Sequence, residues 1–219
     1  MRSSFWKNTV FLLIILLLPV VGSAQTEPPV GLLLPGDFHG DDVQIPETTG
    51  WWALCADGLL QKTTLSLTAV HDECVDGADE KSGLRIAHSG CIDALALLSD
   101  APFFAEDTLP VCDIDLQNGQ ATLLLGERQF SLTEQPFGEN GYQLVFGDGT
   151  RKQVIYQTEW SEEGGWQLLW SGDLNGDGLP DLLLNATHKY SVQTVRLFLS
   201  GSSTDGILRE VATFRTTSC

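Results

Sequence analysis

From Trp51 onward the chain is a succession of short apolar stretches broken by turn-forming residues. Thr63–Val70 alternates, with Leu65 and Leu67 on one face. Ala121–Leu125, Gln129–Leu132, Tyr142–Phe146 and Lys152–Gln157 follow the same style. A period of two marks strands with one buried face. Asn140-Gly141 and Asp148-Gly149 read as hairpin turns, because these residue types tolerate positive φ. Trp166–Trp170 sets Trp166, Leu168 and Trp170 on one face, and Val192–Leu199 and Leu208–Phe214 complete the set. Leu182–Leu184 is unbroken and suits a buried strand. Ile92–Leu98 has some helical character, but it is short and reads as a buried strand too. The pattern predicts an all-β protein of mainly antiparallel sheets, sandwich-like or incomplete-propeller-like. A single β-domain is expected over 51–219, with a division into packed sheets near 160.

The first fifty residues differ. Arg2 and Lys7 make a positive region ahead of an apolar run, Val10–Leu18, which Pro19 ends. Gly22-Ser23-Ala24 then offers small residues before Gln25. This is the layout of a secretory signal over 1–24, and its apolar run is shorter than the ~20 residues a spanning helix needs. Export to the periplasm or the extracellular space is expected, with no stable membrane span after cleavage. Residues 25–50, rich in Pro, Gly and Thr, read as an extended entry segment.

Charge changes the picture next. The whole chain carries 12 basic and 29 acidic side chains, a net charge of −17. Residues 1–24 hold two of the basic residues and no acid, so the remaining 195 residues carry −19. Such a surface repels nucleic acid, whose recognition needs clustered Lys and Arg, and attracts divalent cations. All five cysteines (55, 74, 91, 112 and 219) lie after the signal, where disulfides are the default. Five is odd, and spacing does not choose among the possible pairings. A bridge at Cys219 would pin an end that otherwise frays.

The most informative segment is Gly172-Asp173-Leu174-Asn175-Gly176-Asp177-Gly178-Leu179-Pro180-Asp181. Counting from Asp173, oxygen-bearing side chains fall at positions 1, 3, 5 and 9. A hard cation such as Ca²⁺ takes six to eight oxygen ligands. Asp173, Asn175, Asp177 and Asp181 offer side-chain oxygens, and Leu179 at position 7 offers its carbonyl. Gly178 at position 6 permits the sharp turn. Position 12 is Leu184, so the bidentate Glu of a helix–loop–helix site is missing. Apolar strand patterns on both sides make this a strand-to-strand turn, with Ca²⁺ as the expected ion.

On these residues the chain resembles the FG-GAP or VCBS-type calcium-binding repeats of integrin alpha chains and many exported bacterial proteins. The likeness runs over about 160–219, through GDLNGDGLPDLLL, Arg196–Leu199 and Leu208–Phe214. It implies calcium on Asp173, Asn175, Asp177, Leu179 and Asp181. The family fold is a propeller of several four-stranded blades. This chain shows one clear turn, so the resemblance implies a single repeat grafted onto other β-structure. Gly36–Asp42 echoes the turn but has His39 at position 3 and Ile45 at position 9.

Three further features invite chemistry. His71-x₂-Cys74 and His88-x₂-Cys91 could form a zinc set, although export favours oxidised cysteines. Asp72, Glu73, Asp76, Asp79 and Glu80 cluster around Gly77. Trp51-Trp52 and Trp160, Trp166 and Trp170 could stack on a sugar. The known nucleophile and phosphate-loop motifs are missing. The expectation is therefore a non-enzymatic exported β-protein with structural calcium and a binding or interaction role toward a protein or glycan. Two alternatives stay open: a hydrolase braced by the calcium loop, and a glycan-binding adhesion module.

Overall fold

The computed structural model describes residues 30–45, 47–99, 108–201 and 206–219. The signal assigned to 1–24 lies outside them. The strands, in chain order, begin with β1 (Gly31–Leu33), β2 (Gly36–Phe38), β3 (Trp51–Cys55), β4 (Leu60–Thr63), β5 (Leu65–Val70), β6 (Gly83–His88) and β7 (Ala94–Ser99). Next come β8 (Asp113–Gln117), β9 (Gln120–Leu125), β10 (Arg128–Phe137), β11 (Gly141–Gly147) and β12 (Lys152–Thr158). The last are β13 (Glu163–Gly172), β14 (Asp181–Lys189), β15 (Val192–Ser200) and β16 (Leu208–Thr217). The protein is all-β, as its alternation predicts. Among the described residues no helix is long and apolar enough to cross a membrane.

All strand pairs are antiparallel and form four sheets, ordered β1-β7-β3-β4, β2-β6-β5, β12-β11-β10-β9-β8 and β13-β14-β15-β16. The last two are simple meanders. The extended segment before Trp51 enters the fold: β1 pairs with β7, and Val30 and Leu32–Leu34 are buried.

The β13–β16 sheet is the middle layer. One of its faces, with Trp170, Leu183, Val195, Leu197, Ala212 and Phe214, packs on Leu54, Leu97 and Leu98 and on Leu65 and Ile86. The opposite face, with Leu168, Leu182, Leu184, Ala186 and Phe198, packs on Ala121, Leu123, Phe130, Leu132, Leu144 and Phe146 of the β8–β12 sheet. This explains the unbroken Leu182–Leu184, because a strand covered on both faces has no polar side to alternate with.

Two bulges adjust the middle sheet. One lies in β13 between Leu168 and Trp170, and the other in β16 at Val211, opposite Leu197 and Phe198 of β15. Strict alternation puts Trp166, Leu168 and Trp170 on one face. The first bulge overturns this, because its extra residue sends Trp170 to one core while Leu168 stays in the other. The hairpin expected at Asn140-Gly141 also shifts. Gly138 takes the positive φ (+69°), and Gly141 is already in β11. Asp148-Gly149 turns as predicted, with Gly149 at +88°.

Cys55 bonds to Cys91 and Cys74 to Cys219, so the C-terminus is pinned. Cys112 is a buried free thiol. The two bridges suit an oxidising compartment.

Two-sided burial has a measurable consequence. Leu182→Ala and Leu183→Ala empty space on opposite faces of β14, and each should cost about 2–5 kcal/mol in urea unfolding. A loss below ~1 kcal/mol in either would contradict the middle-layer arrangement.

Candidate metal centre

The Asp173–Asp181 turn closes one end of the middle sheet, where Gly172 pairs with Asp181 across β13 and β14. Its first half is a nest of short side-chain bonds. Asp173 Oδ1 accepts from the N–H groups of Gly176 (2.8 Å) and Asp177 (3.0 Å), and its Oδ2 accepts from Gly178 (2.9 Å). Asn175 Oδ1 accepts from Asp177 N–H and Asp177 Oδ1 from Leu179 N–H. Asp and Asn favour such turns because their oxygens can reach the backbone two residues on. Gly176 and Gly178 sit at φ +77° and +78°, a region closed to most side chains.

Asp181 is the anchor. It is fully buried, and each of its oxygens accepts two bonds. Oδ2 takes the N–H groups of Leu174 (2.6 Å) and Asn175 (3.1 Å), and Oδ1 takes Ser200 N–H (2.6 Å) and Oγ–H (2.8 Å). Burial pushes its carboxyl up to about 7, against the pull of the Ser200 and Leu174 hydrogen bonds. The Asp177 charge pushes it further in the same direction.

Ser200 Oγ also lies 3.1 and 3.3 Å from the two Asp177 oxygens. One hydroxyl proton is thus set between two carboxylates. Among the described residues, no Lys, Arg or His forms an ion pair with Asp173, Asp177 or Asp181. Arg128 reaches the turn but donates to the Gly178 carbonyl (3.2 Å), tying the β9–β10 hairpin to it.

These residues fit a hard cation on three grounds. The donors are all oxygen, three carboxylates face +2, and among the described residues no cationic side chain pairs with the buried carboxylate. The side chains of Asp173, Asn175 and Asp177 and the Leu179 carbonyl belong to one turn, and Asp181 closes it. Ser200, 19 residues beyond Asp181, is the partner that spacing within the turn does not reveal.

The other candidates resolve differently. Cys74 and Cys91 are oxidised, so the His71/Cys74/His88/Cys91 set has no thiolates for zinc. In the acidic cluster three residues bond their own loop: Asp76 Oδ2 accepts from Asp72 and Ser82 N–H, Asp72 Oδ1 from Cys74 N–H, and Glu80 from Gly77 N–H. In the Gly36–Asp42 echo the side chains take separate partners. Asp37 pairs with Arg85, His39 with Asp72, and Asp42 with Thr216 and Thr217. His39, Asp72 and Cys74 lie with ligand atoms within 4.8 Å of one another, but the sulfur belongs to the Cys74–Cys219 bridge. The tryptophans form no common platform. Trp51 and Trp170 are buried, Lys62 lies over Trp52, and Trp166 Nε1 donates to Glu134. Trp160 is half exposed.

Comparison of the chain with protein-family models, curated proteins and solved structures returns no match.

The His39–Asp72 pair (2.5 Å) is a contact between residues 33 apart, and no spacing rule announces it. The Asp72 hydrogen bond raises His39 above 6.5, and the same bond lowers Asp72 below 3.8. The His39 contribution is complete below pH 6.5 and is lost as pH rises through its raised value. The Asp72 contribution is present above pH 3.8 and is lost as pH falls through its lowered value. The difference in melting temperature between the parent and His39→Gln should be largest between about pH 4 and 6.5 and shrink above it. A difference that grows toward pH 8 would contradict this pairing.

Proposed function

We propose that this is an exported, non-enzymatic β-protein, periplasmic or extracellular, whose Asp173–Asp181 turn binds a structural Ca²⁺. Its role is binding or interaction with a protein or glycan. The observation that carries the reading is the buried Asp181 carboxylate, beside Asp177 and Asp173, with no cationic side chain paired to it among the described residues. Asp173, Asn175, Asp177 and Asp181 would hold the ion through side-chain oxygens and Leu179 through its carbonyl. The ion supplies charge neutralisation and cross-links the two ends of the turn.

The meander β13–β16, with the turn between its first two strands, supports reading 160–219 as one FG-GAP or VCBS-type repeat. The β8–β12 sheet packed on one face and the N-terminal sheets on the other fit a single repeat built into a larger stack. The role assigned to calcium is structural, because the turn joins two buried strands and its carboxylates are committed to the ion.

Binding to the folded state alone stabilises it by RT ln(1 + [L]/Kd), about 2.7 kcal/mol at a hundredfold excess over Kd. For a chain of this size calcium should raise the melting temperature by roughly 5–10 °C. Asp177 is exposed, so Asp177→Ala leaves the core intact and should abolish the increase. Coincident melting curves in calcium and in chelator for the parent protein would sink the proposal.

A further inference from the structure

The β8–β12 sheet has five strands and the middle sheet that it covers has four. At one side the two are held in step: the Gln153 amide of β12 bonds Ile207 N–H, Leu208 N–H and the Leu208 carbonyl. At the other side the fifth strand, β8, overhangs. All five of its residues are exposed.

The overhang has two distinct faces. Ile114 pairs with Leu123 and Leu116 with Ala121, both fully buried, so Ile114 and Leu116 continue the core face of the sheet. Among the described residues nothing covers them fully, and they are 40% and 59% exposed. A cavity of about 280 Å³ opens beside Leu116, floored by Trp166 and Leu168 of β13. The other face carries Asp113 and Asp115, with Leu124 opposite Asp113. No Lys or Arg occurs from 111 to 127.

The backbone of β8 is open as well. Asn118 and Gly119 have φ of 49° and 77°, which makes the β8–β9 connection a two-residue hairpin of the primed type. In such a hairpin the flanking pair, Gln117 and Gln120, exchanges both hydrogen bonds. Bonding then alternates along the ladder, so Ile114 and Leu116 aim their N–H and C=O groups away from β9. An exposed strand edge with apolar side chains is a template for another strand, and natural proteins blunt it with short strands, charged side chains (Lys above all), Pro or a bulge. Asp113–Gln117 has no Lys, Pro or bulge, and its only charges are Asp113 and Asp115, which oppose an acidic strand and admit a basic one.

From this we infer that the β8 edge is a docking site for an extended segment of another protein, added as a sixth strand, with apolar and basic residues alternating. Its apolar side chains lie beside Ile114 and Leu116 and close the open side of the cavity. Its Lys or Arg side chains lie opposite Asp113 and Asp115, with their aliphatic stems over Leu124. The charge of −19 on the exported chain favours a basic partner further. A second copy of this chain fits poorly. The antiparallel register that pairs the whole strand sets Asp115 opposite Asp115, and like charges facing across strands are unfavourable.

The test uses the exported chain with both disulfides formed and a labelled heptapeptide of alternating Lys and Val, read by fluorescence anisotropy. Three changes should each weaken binding by about tenfold or more: Pro for the central Val of the peptide, Leu116→Pro, and Asp115→Lys. The outward N–H at Leu116 makes proline tolerable on this edge, and an unchanged melting temperature verifies that the variant is folded. Asp115→Lys alters only an exposed side chain and keeps the test independent of that check. Binding should also weaken with added salt. The inference is overturned if the peptide does not bind, or if the proline peptide binds as tightly as the parent. It is equally overturned if the protein sediments as a dimer that Leu116→Pro dissociates, which would give the edge to a second copy.

Discussion

The fold depends on a carboxylate that it buries. Asp181 stands where β14 begins, and its four accepted hydrogen bonds join the start of the turn, through Leu174 and Asn175, to the end of β15, through Ser200. Removing a charge from water is expensive, and hydrogen bonds recover only part of that cost. The rise of its pKa to about 7 is the trace of the remainder. A divalent cation among Asp173, Asn175, Asp177, Leu179 and Asp181 would supply the missing positive charge. The calcium proposal and the architecture therefore rest on one physical problem.

That problem follows from where the turn sits. A strand end on a sheet with one wet face could solvate an aspartate. The β13–β16 sheet is covered on both faces, and the turn is tied down by the Pro110 carbonyl, which accepts the Asp173 N–H, and by Arg128, which donates to the Gly178 carbonyl. Cys112 lies in the same region, bonded to Ser171, with its thiol pushed up by burial. The base of the turn, at Asp173 and Asp181, is thus buried against parts of the chain that lie far from it in sequence, while Gly176–Gly178 at its tip stay exposed.

Much of this was legible in the sequence, and the boundary of legibility is physical. Leu182–Leu184 announced a buried strand, and the oxygen spacing announced the turn, because both are local properties. The fate of Trp170 was not legible, since a one-residue bulge reverses faces without leaving a mark in the alternation. Asn140-Gly141 misled because positive φ fell to Gly138, the other glycine of the same connection. The β8 strand, D-I-D-L-Q, alternates cleanly, and Asn118-Gly119 is a hairpin signal, so both were open to sequence reasoning. Its all-exposed setting comes only from the count of strands in the facing sheet. The disulfide partners, the His39–Asp72 pair and the Ser200 clamp all join distant residues, and one sequence does not specify such contacts.

The most direct test of the buried-charge account is a crystal structure of residues 25–219 grown in calcium, with anomalous data to identify the ion. The account predicts one calcium per chain, bound by side-chain oxygens of Asp173, Asn175, Asp177 and Asp181 and by the Leu179 carbonyl. A turn without an ion at saturating calcium, with Asp181 still held only by Leu174, Asn175 and Ser200, would contradict it.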